Sequence, residues 1–454
     1  MFPRSTATDN GPGETRRNLR IFTQGKPEYP SHSTRLAPRK TAMSTALSRR
    51  IAHLDMDAFF ASVTLLQYPQ LQALPVVIGG RRMTPEELVA RINERHPGSR
   101  WQADALQAIN PDHFPRLGEY RGRGVATTAT YAARQFGLGS GMGLARAAHL
   151  CPQAILLPPD FERYRRFSQA FKAIILSEAP VMEDRGIDEV FIDLTWVAGV
   201  QEDGGRALAT RLQARIQAET GLSCSIGVAP NKLIAKMASD LDKPHGITII
   251  HPEDLQTRIW PLPCRRINGI GPKTDERLQK LGVLTIAQLA ACDTAWLVEH
   301  FGTRTGQWLH DAAWGLDERP VANRTEPVTI SRETTFERDL HAVHDRVELA
   351  AIFTRLAELT AQDLQRKGYR GRTVGIKLRY ADFRTVTREL TTEAPTQDAG
   401  DIRRLAGRCL KRVDLQRRFR LLGIRVSSLE RADAPHEAAP DAHTQPPRQG
   451  ELPF

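Results

Sequence analysis

The sequence predicts an α+β protein built from several domains, and three observations carry that prediction. The chain has 454 residues, more than a single hydrophobic core ordinarily organises. Residues 51–251 alternate strand-like and helix-like patterns in the order strand, helix, strand, hairpin, helix, strand. Residues 330–430 read strand, helix, strand, strand, helix, strand, the split βαβ order of a ferredoxin-like module.

The elements follow in order. Residues 1–50 are rich in Pro, Ser, Thr, Gly and Arg, lack periodicity, and read as a disordered extension. Met43, just before the first strand, offers a second translation start. Ile51 and His53 alternate with the next residues as a strand running into a turn and helix. The strand "LPVVIGG" (74–80) closes on two glycines. Residues 81–122 read as an insertion, a surface elaboration or a partner site, with the surface reading expected. It carries one well-formed helix, with Thr84 as N-cap, Pro85 at N1 and Glu87 at N3. Phe161, Tyr164, Phe167, Phe171, Ile174 and Ile175 have helical spacing. "VMEDRGIDEVFIDLT" is a hairpin with Val190, Ile192 and Leu194 on one face. A helix ending at Gly221, the strand "LSCSIGVA" and an Asn-capped helix, "NKLIAKMASDLDKPHG", complete a sheet expected to carry its helices on one face. Short helices with tight glycine turns fill 252–318, and a polar linker occupies 319–329. Residues 431–454 form an Ala/Pro/His-rich tail expected to be flexible.

Composition narrows the function. Lys plus Arg number 63 and Asp plus Glu 52, giving a net charge of +11 and a pI near 9.7. The surplus is local: residues 1–50 carry +7, residues 325–430 carry +6, the tail carries −2, and residues 51–324 are neutral. A neutral body beside a basic module suggests a reaction centre that uses acidic residues, next to a part that holds a polyanion. No apolar run is long enough to span a bilayer, and the polar, Arg-rich N-terminus lacks a secretory core. Cys151, Cys224, Cys264, Cys292 and Cys409 are scattered, without a CxxC pair, which fits a reducing cytoplasm.

The acidic residues group as Asp55 with Asp57, Asp188 with Glu189, and Asp193. Carboxylates from two converging strands can hold a pair of Mg²⁺ ions roughly 4 Å apart, which suits phosphoryl transfer. The same residues also suit the plainer work of capping turns, and Asp57 and Asp193 fit that best. Phe59 and Phe60 follow the first carboxylate. A ring at the mouth of a nucleotide pocket would clash with a ribose 2′-hydroxyl, although core packing is the commoner fate of phenylalanine.

The motifs "HLDMDAFFASV", "GVATTATYAARQFG", "GIDEVFIDLT", "CSIGVAPNKLIAKMASDLDKPHG" and "INGIGPKTDERLQKLGV" occur in the order seen in Y-family DNA polymerases. The pattern is most similar to the bacterial DNA polymerase IV type, over roughly 51–430 apart from 81–122. The resemblance implies a right-hand polymerase. Its palm would be 51–60 and 160–251, its fingers 61–159, its helical thumb 252–318 and its little finger 330–430. It implies template-directed, low-fidelity translesion synthesis with two Mg²⁺ ions and no proofreading exonuclease. Asp55 and Asp188 resemble the metal-bridging aspartates, Glu189 the carboxylate near the primer 3′-hydroxyl, and the Met56 backbone carbonyl a further ligand. Phe60 falls at the steric gate with Phe59 behind it. Thr128, Tyr131, Arg134 and Lys243 match the residues that receive the dNTP triphosphate. The match departs at Gly186, where the family usually carries serine, and in the length of 81–122.

"INGIGPKTDERLQKLGV" also resembles a helix-hairpin-helix, in which Gly269 and Gly271 shape a turn whose amides face a DNA phosphate and Lys273 adds charge. In the basic module, Arg332, Lys377 and Arg379 are expected to grip the backbone of primer–template DNA. The terminal "QGELPF" resembles a peptide for the sliding clamp, the beta subunit of DNA polymerase III, with Gln449, Leu452 and Phe454 as its anchors. A monomer at the nucleoid is expected. A non-catalytic DNA-binding relative and a two-metal nuclease are the competing readings. A triphosphate cradle speaks against the nuclease, since hydrolysis does not need one.

Overall fold

The computed structural model describes residues 47–323 and 326–433. The extension before Leu47 and the anchors Gln449, Leu452 and Phe454 lie outside the described residues. Among the described residues, no helix is long and apolar enough to cross a membrane.

β1 (Ile51–Met56) leads into α1 (Phe59–Leu65), then β2 (Val76–Gly79), α2 (Pro85–Arg95), β3 (Ala126–Ala129), α3 (Tyr131–Arg134), α4 (Leu144–Leu150) and β4 (Ile155–Leu157). β2 is the centre of a three-stranded sheet, antiparallel to β3 and parallel to β4. The segment 81–122 lies mostly at the surface but packs one apolar face on this sheet. Leu88, Val89 and Ile92 of α2, with Leu106, Ile109 and Phe114 beyond it, are buried in one cluster with Val76, Ile78, Ile155 and Leu157. An amphipathic helix followed by isolated apolar anchors looks polar on average, yet it buries one continuous face. The capping box forms as expected: the Glu87 amide donates to Thr84 Oγ1 at 3.2 Å, and the Thr84 amide donates to Glu87 Oε2 at 2.9 Å.

α5 (Phe161–Glu178), β5 (Met182–Asp184), β6 (Glu189–Asp193), α6 (Val200–Asp203), α7 (Arg206–Thr220), β7 (Cys224–Ala229), α8 (Lys232–Ser239) and β8 (Ile247–Ile249) follow. With β1 they form a five-stranded sheet in the order β5-β6-β1-β7-β8. The expectation of helices on one face is corrected. Ala52, Leu54 and Met56 pack in a cluster with α5 and α7. Ile51 packs in another cluster with Leu233, Ile234 and Met237 of α8. Successive side chains of a strand point to opposite faces. β1, buried along almost its whole length, is therefore covered on both faces.

α9 (Pro272–Lys280), α10 (Ile286–Ala290), α11 (Thr294–Phe301) and α12 (Thr303–Ala313) make the helical unit. It shares a core with α8 through Ile267, Leu278, Leu297 and Leu309. The polar stretch that leaves it is anchored to the large sheet. Glu183 of β5 and Lys232 of α8 form an ion pair at 2.6 Å, with both side chains almost wholly buried. Lys232 Nζ also donates to the Pro320 carbonyl at 3.2 Å, and the Ala322 amide donates to Glu183 Oε2 at 3.0 Å.

β9 (Thr329–Leu340), α13 (Arg346–Lys367), β10 (Tyr369–Tyr380), β11 (Thr385–Thr396), α14 (Ala399–Leu410) and β12 (Phe419–Arg431) form the last module. The sheet order is β11-β10-β12-β9, antiparallel throughout. β9 and β10, joined by α13, therefore run in one direction with β12 between them, as a split βαβ unit requires. Val374, Ile376, Leu378, Leu422, Ile424 and Val426 are buried beneath α13 and α14, and the opposite face is open.

Candidate active site

Asp55 and the adjacent pair Asp188 and Glu189, far apart in sequence, meet at one end of the five-stranded sheet. β1 and β6 pair with Asp55 opposite Glu189, and the Met56 amide donates to the Asp188 carbonyl at 3.0 Å. The other strand-end acids have structural partners. Asp57 is buried, accepting from Ser225 Oγ at 2.7 Å and from the His245 amide at 2.9 Å. Asp193 accepts from the Thr195 amide at 2.9 Å.

Burial pushes the Asp55 carboxyl up, although Lys243 opposes the shift with a 2.7 Å bond to Oδ1. Burial also raises Asp188, and the neighbouring Glu189 charge adds to it. Glu189 moves the other way, to about 2, because of its hydrogen bond with His53 and, against burial, its ion pair with Lys236. Burial opposes the charge on Lys243, but Asp55 and Asp240 outweigh it and hold that ammonium well above the usual lysine range.

His53 and Lys236 were not singled out by the sequence reading. His53 is fully buried, its Nε2 3.5 Å from Glu189 Oε2 and its Nδ1 2.7 Å from Ser239 Oγ. A signal existed: His53 lies two residues before Asp55 on one strand, so both share a face. Lys236 had no such signal, because only the packing of α8 on β1 brings it to Glu189. His53, Asp55 and Glu189 offer ligand atoms all within 4.8 Å of one another. The hard carboxylate oxygens, with the Met56 carbonyl at the end of β1, fit Mg²⁺. Here the lysine ammoniums neutralise those carboxylates. A Cβ at Gly186 would lie 3.7 Å from Asp188 Oδ1, so the turn has room for the serine usual in the resembled family.

Ala58 adopts a left-handed conformation with φ 44° and starts α1, which opens with Phe59 and Phe60. Phe59 is buried. Phe60 is half-buried against Tyr164 and Phe161, with ring centroids 4.6 and 5.9 Å away. On the smaller sheet, Thr128 is buried on β3. Thr130 caps α3, where Arg134 lies over the Tyr131 ring at 4.8 Å and donates to the Ala129 carbonyl at 3.1 Å. Tyr131 is raised by burial, with a further push from Asp57.

Of the two turn glycines of the helix-hairpin-helix, Gly269 and Gly271, only the first is conformationally required. Gly269 has φ +115°, and a Cβ there would come within 2.7 Å of the Trp308 ring. Gly271 has φ −80° and open space around it. Gly269→Ala is expected to cost about 1–3 kcal/mol in thermal or chemical denaturation, whereas Gly271→Ala unfolds like the parent. Lys273 is exposed in the first turn of α9. On the C-terminal sheet, Lys377 and Arg379 stand on the open face, with Lys377 bonded to Glu333 at 2.8 Å and Arg379 to Thr385 Oγ1 at 3.0 Å. Arg332 does not join them. Its cross-strand partner is the core residue Ile424, and its guanidinium pairs with Asp363 of α13, so it belongs to the helix-covered side at the sheet edge. It shares the parity of buried Ile330, so the alternation was legible.

The sequence matches the impB/mucB/samB family over residues 54–240, that family's C-terminal domain over 327–439, and the IMS family HHH motif over 252–283. A DNA polymerase IV of Alkalilimnicola ehrlichii is 37% identical over 384 residues, covering 84% of this chain and 95% of that protein. One of Halorhodospira halophila is 38% identical over 388 residues, covering 84% of this chain and 96% of that protein. The structure of a chimera of the Y-family DNA polymerases Dbh and Dpo4 superposes with a TM-score of 0.67 at 22% identity, covering 84% of this chain and 98% of that one. The chain belongs to the Y-family DNA polymerases, in the DNA polymerase IV group. It is a DNA-directed DNA polymerase with the right-hand fold of palm, fingers, helical thumb and ferredoxin-like little finger.

Proposed function

We propose that this polymerase carries out low-fidelity translesion synthesis, extending a primer 3′ end by two-metal-ion nucleotidyl transfer without a proofreading exonuclease. The observation that carries the reading is the convergence of Asp55, Asp188 and Glu189 from β1 and the start of β6. Asp55, Asp188, Glu189 and the Met56 carbonyl would hold two Mg²⁺ ions, which supply charge neutralisation for the attacking and leaving oxygens. The palm is assigned to 51–60 and 160–251, the fingers to 61–159, the thumb to 252–318, the linker to 319–329 and the little finger to 330–430.

The residues then take distinct roles. Glu189 stands by the primer 3′-hydroxyl, kept ionised and oriented by His53 and Lys236. Tyr131 and Arg134, on a helix capped from a rigid strand, receive the triphosphate from one side, with Thr128 behind them. Lys243 approaches from the palm. Arg134 offers a planar fork and Lys243 a point charge for the leaving pyrophosphate. Gly269, Gly271 and Lys273 face the duplex from the thumb, and Lys377 and Arg379 from the little finger. Primer extension across defined template lesions tests the assignment; failure to extend past any lesion defeats it.

Phe60 is the proposed steric gate, supported by its half-buried ring beside Phe161 and Tyr164. Phe60→Ala should raise ribonucleotide insertion by on the order of tenfold or more in single-nucleotide kinetics. Unchanged sugar discrimination would remove Phe60 from that role. Gln449, Leu452 and Phe454 are proposed as anchors on the sliding clamp, the beta subunit of DNA polymerase III. Deleting 449–454 should abolish clamp-stimulated processivity and leave clamp-free insertion intact; a pull-down that survives the deletion excludes the peptide. We place the enzyme in the cytoplasm at the nucleoid, as a monomer.

A further inference from the structure

We infer that Lys172 is a positioning residue for the metal site: it clamps the turn between β5 and β6 and so fixes where Asp188 and Glu189 stand. The inference rests on the two-metal reading above and adds a residue to it. The turn has little else to hold it. Asp184, Arg185 and Gly186 are exposed, and the first apolar anchor after them is Ile187, half-buried against the palm core. Glycine brings more backbone freedom than any other residue. Here it stands two residues before Asp188, where the resembled family usually carries serine. A Cβ at this position would meet Asp188 Oδ1 and Glu189 Cγ, each at 3.7 Å, so the glycine backbone lies directly against both acidic side chains. Freedom at Gly186 would therefore pass straight into the carboxylates.

Lys172 removes that freedom. It projects from α5, next to Phe171 in the palm core, and its side chain is only 13% exposed. Its ammonium donates to the Gly186 carbonyl at 2.7 Å and to Asp184 Oδ2 at 2.9 Å. The other oxygen of that carboxylate, Asp184 Oδ1, accepts the Gly186 amide at 3.1 Å. Both backbone polar groups of the glycine are thus held, one by the lysine and one by its ion-pair partner. On the far side of the turn, the Arg185 amide donates to the Glu189 carbonyl at 3.2 Å, and the Asp188 carbonyl accepts the Met56 amide at 3.0 Å. The clamp and the strand pairing together fix the chain before and after Asp188. A direct effect of charge is the other route open to a lysine, but the ammoniums that act most on Asp188 are those of Lys243 and Lys236. Lys172 works through the backbone, as groups behind metal ligands do when they orient them.

The test uses the full chain with Lys172→Met, which keeps the aliphatic stem and removes the donor, and Lys172→Arg, which keeps a donor. Mn²⁺ binding followed by electron paramagnetic resonance reads the site without turnover. Lys172→Met should bind Mn²⁺ about tenfold more weakly, and the Mg²⁺ concentration for half-maximal primer extension should rise by a similar factor. Primer–template affinity and melting temperature should match the parent, because Asp184 is largely in solvent and the ion pair adds little to stability. Lys172→Arg should recover most of the metal affinity. Parent-like Mn²⁺ binding in Lys172→Met overturns the inference. So does a loss that Lys172→Arg fails to recover or that accompanies a lower melting temperature, since the lysine would then be a support of the fold. A parent that binds no Mn²⁺ defeats the two-metal reading itself, which keeps that failure distinct from failure of this inference.

Discussion

Glu189→Ala is expected to lower primer extension by roughly 10³-fold, the effect of losing several kcal/mol of charge stabilisation in the transition state. Primer–template affinity should stay within about threefold, because the DNA-facing groups proposed here lie on the thumb and the little finger. Single-turnover kinetics beside an equilibrium binding assay separates the two quantities. His53→Ala gives a milder companion: the carboxylate stays, but its orienting partner and the main cause of its depressed pKa are gone. Turnover equal to the parent in Glu189→Ala would remove Glu189 from the reaction.

Glu183→Ala is expected to destabilise the protein by about 3–5 kcal/mol, measured as a lower denaturant midpoint. It leaves the Lys232 ammonium buried without its counter-charge. It also frees the Ala322 amide and so loosens the stretch between the helical unit and the little finger. Replacing both charges, as in Glu183→Leu/Lys232→Met, should recover most of the loss, because neither ion is then stranded. Burial alone would raise the Glu183 carboxyl, but Lys232 and the Ala322 amide overcome it and hold it below the ordinary glutamate value of 4.5. A depressed folded pKa gives stability that is complete above 4.5 and lost as the pH falls below it. The parent should therefore lose stability faster than the double replacement on acidification below pH 4.5.

Local patterns made most elements legible. The capping box at Thr84 and Glu87, the Asn231 cap and the alternation of Val190, Ile192 and Leu194 each depend on residues within one element. Their energetics are short-range, so spacing alone revealed them. The readings that changed depended on partners far along the chain. Residues 81–122 looked like a polar insertion because their apolar anchors are sparse, but those anchors meet β2 and β4. Arg332 looked like its neighbours in a basic strand, but register pairs it with Ile424 and burial gives it Asp363.

By itself, the sequence determined the family, and its contiguous motifs single out Asp55, Asp188, Glu189 and Phe60 as the residues proposed for the site. Tertiary structure alone decided the environment that makes those residues chemically specific. His53 and Lys236 reach Glu189, Lys243 reaches Asp55, and Arg82 reaches Phe161 only through packing between elements. The net charge of +11 likewise says little until it is located in space. Coulomb interactions depend on separation and local polarity.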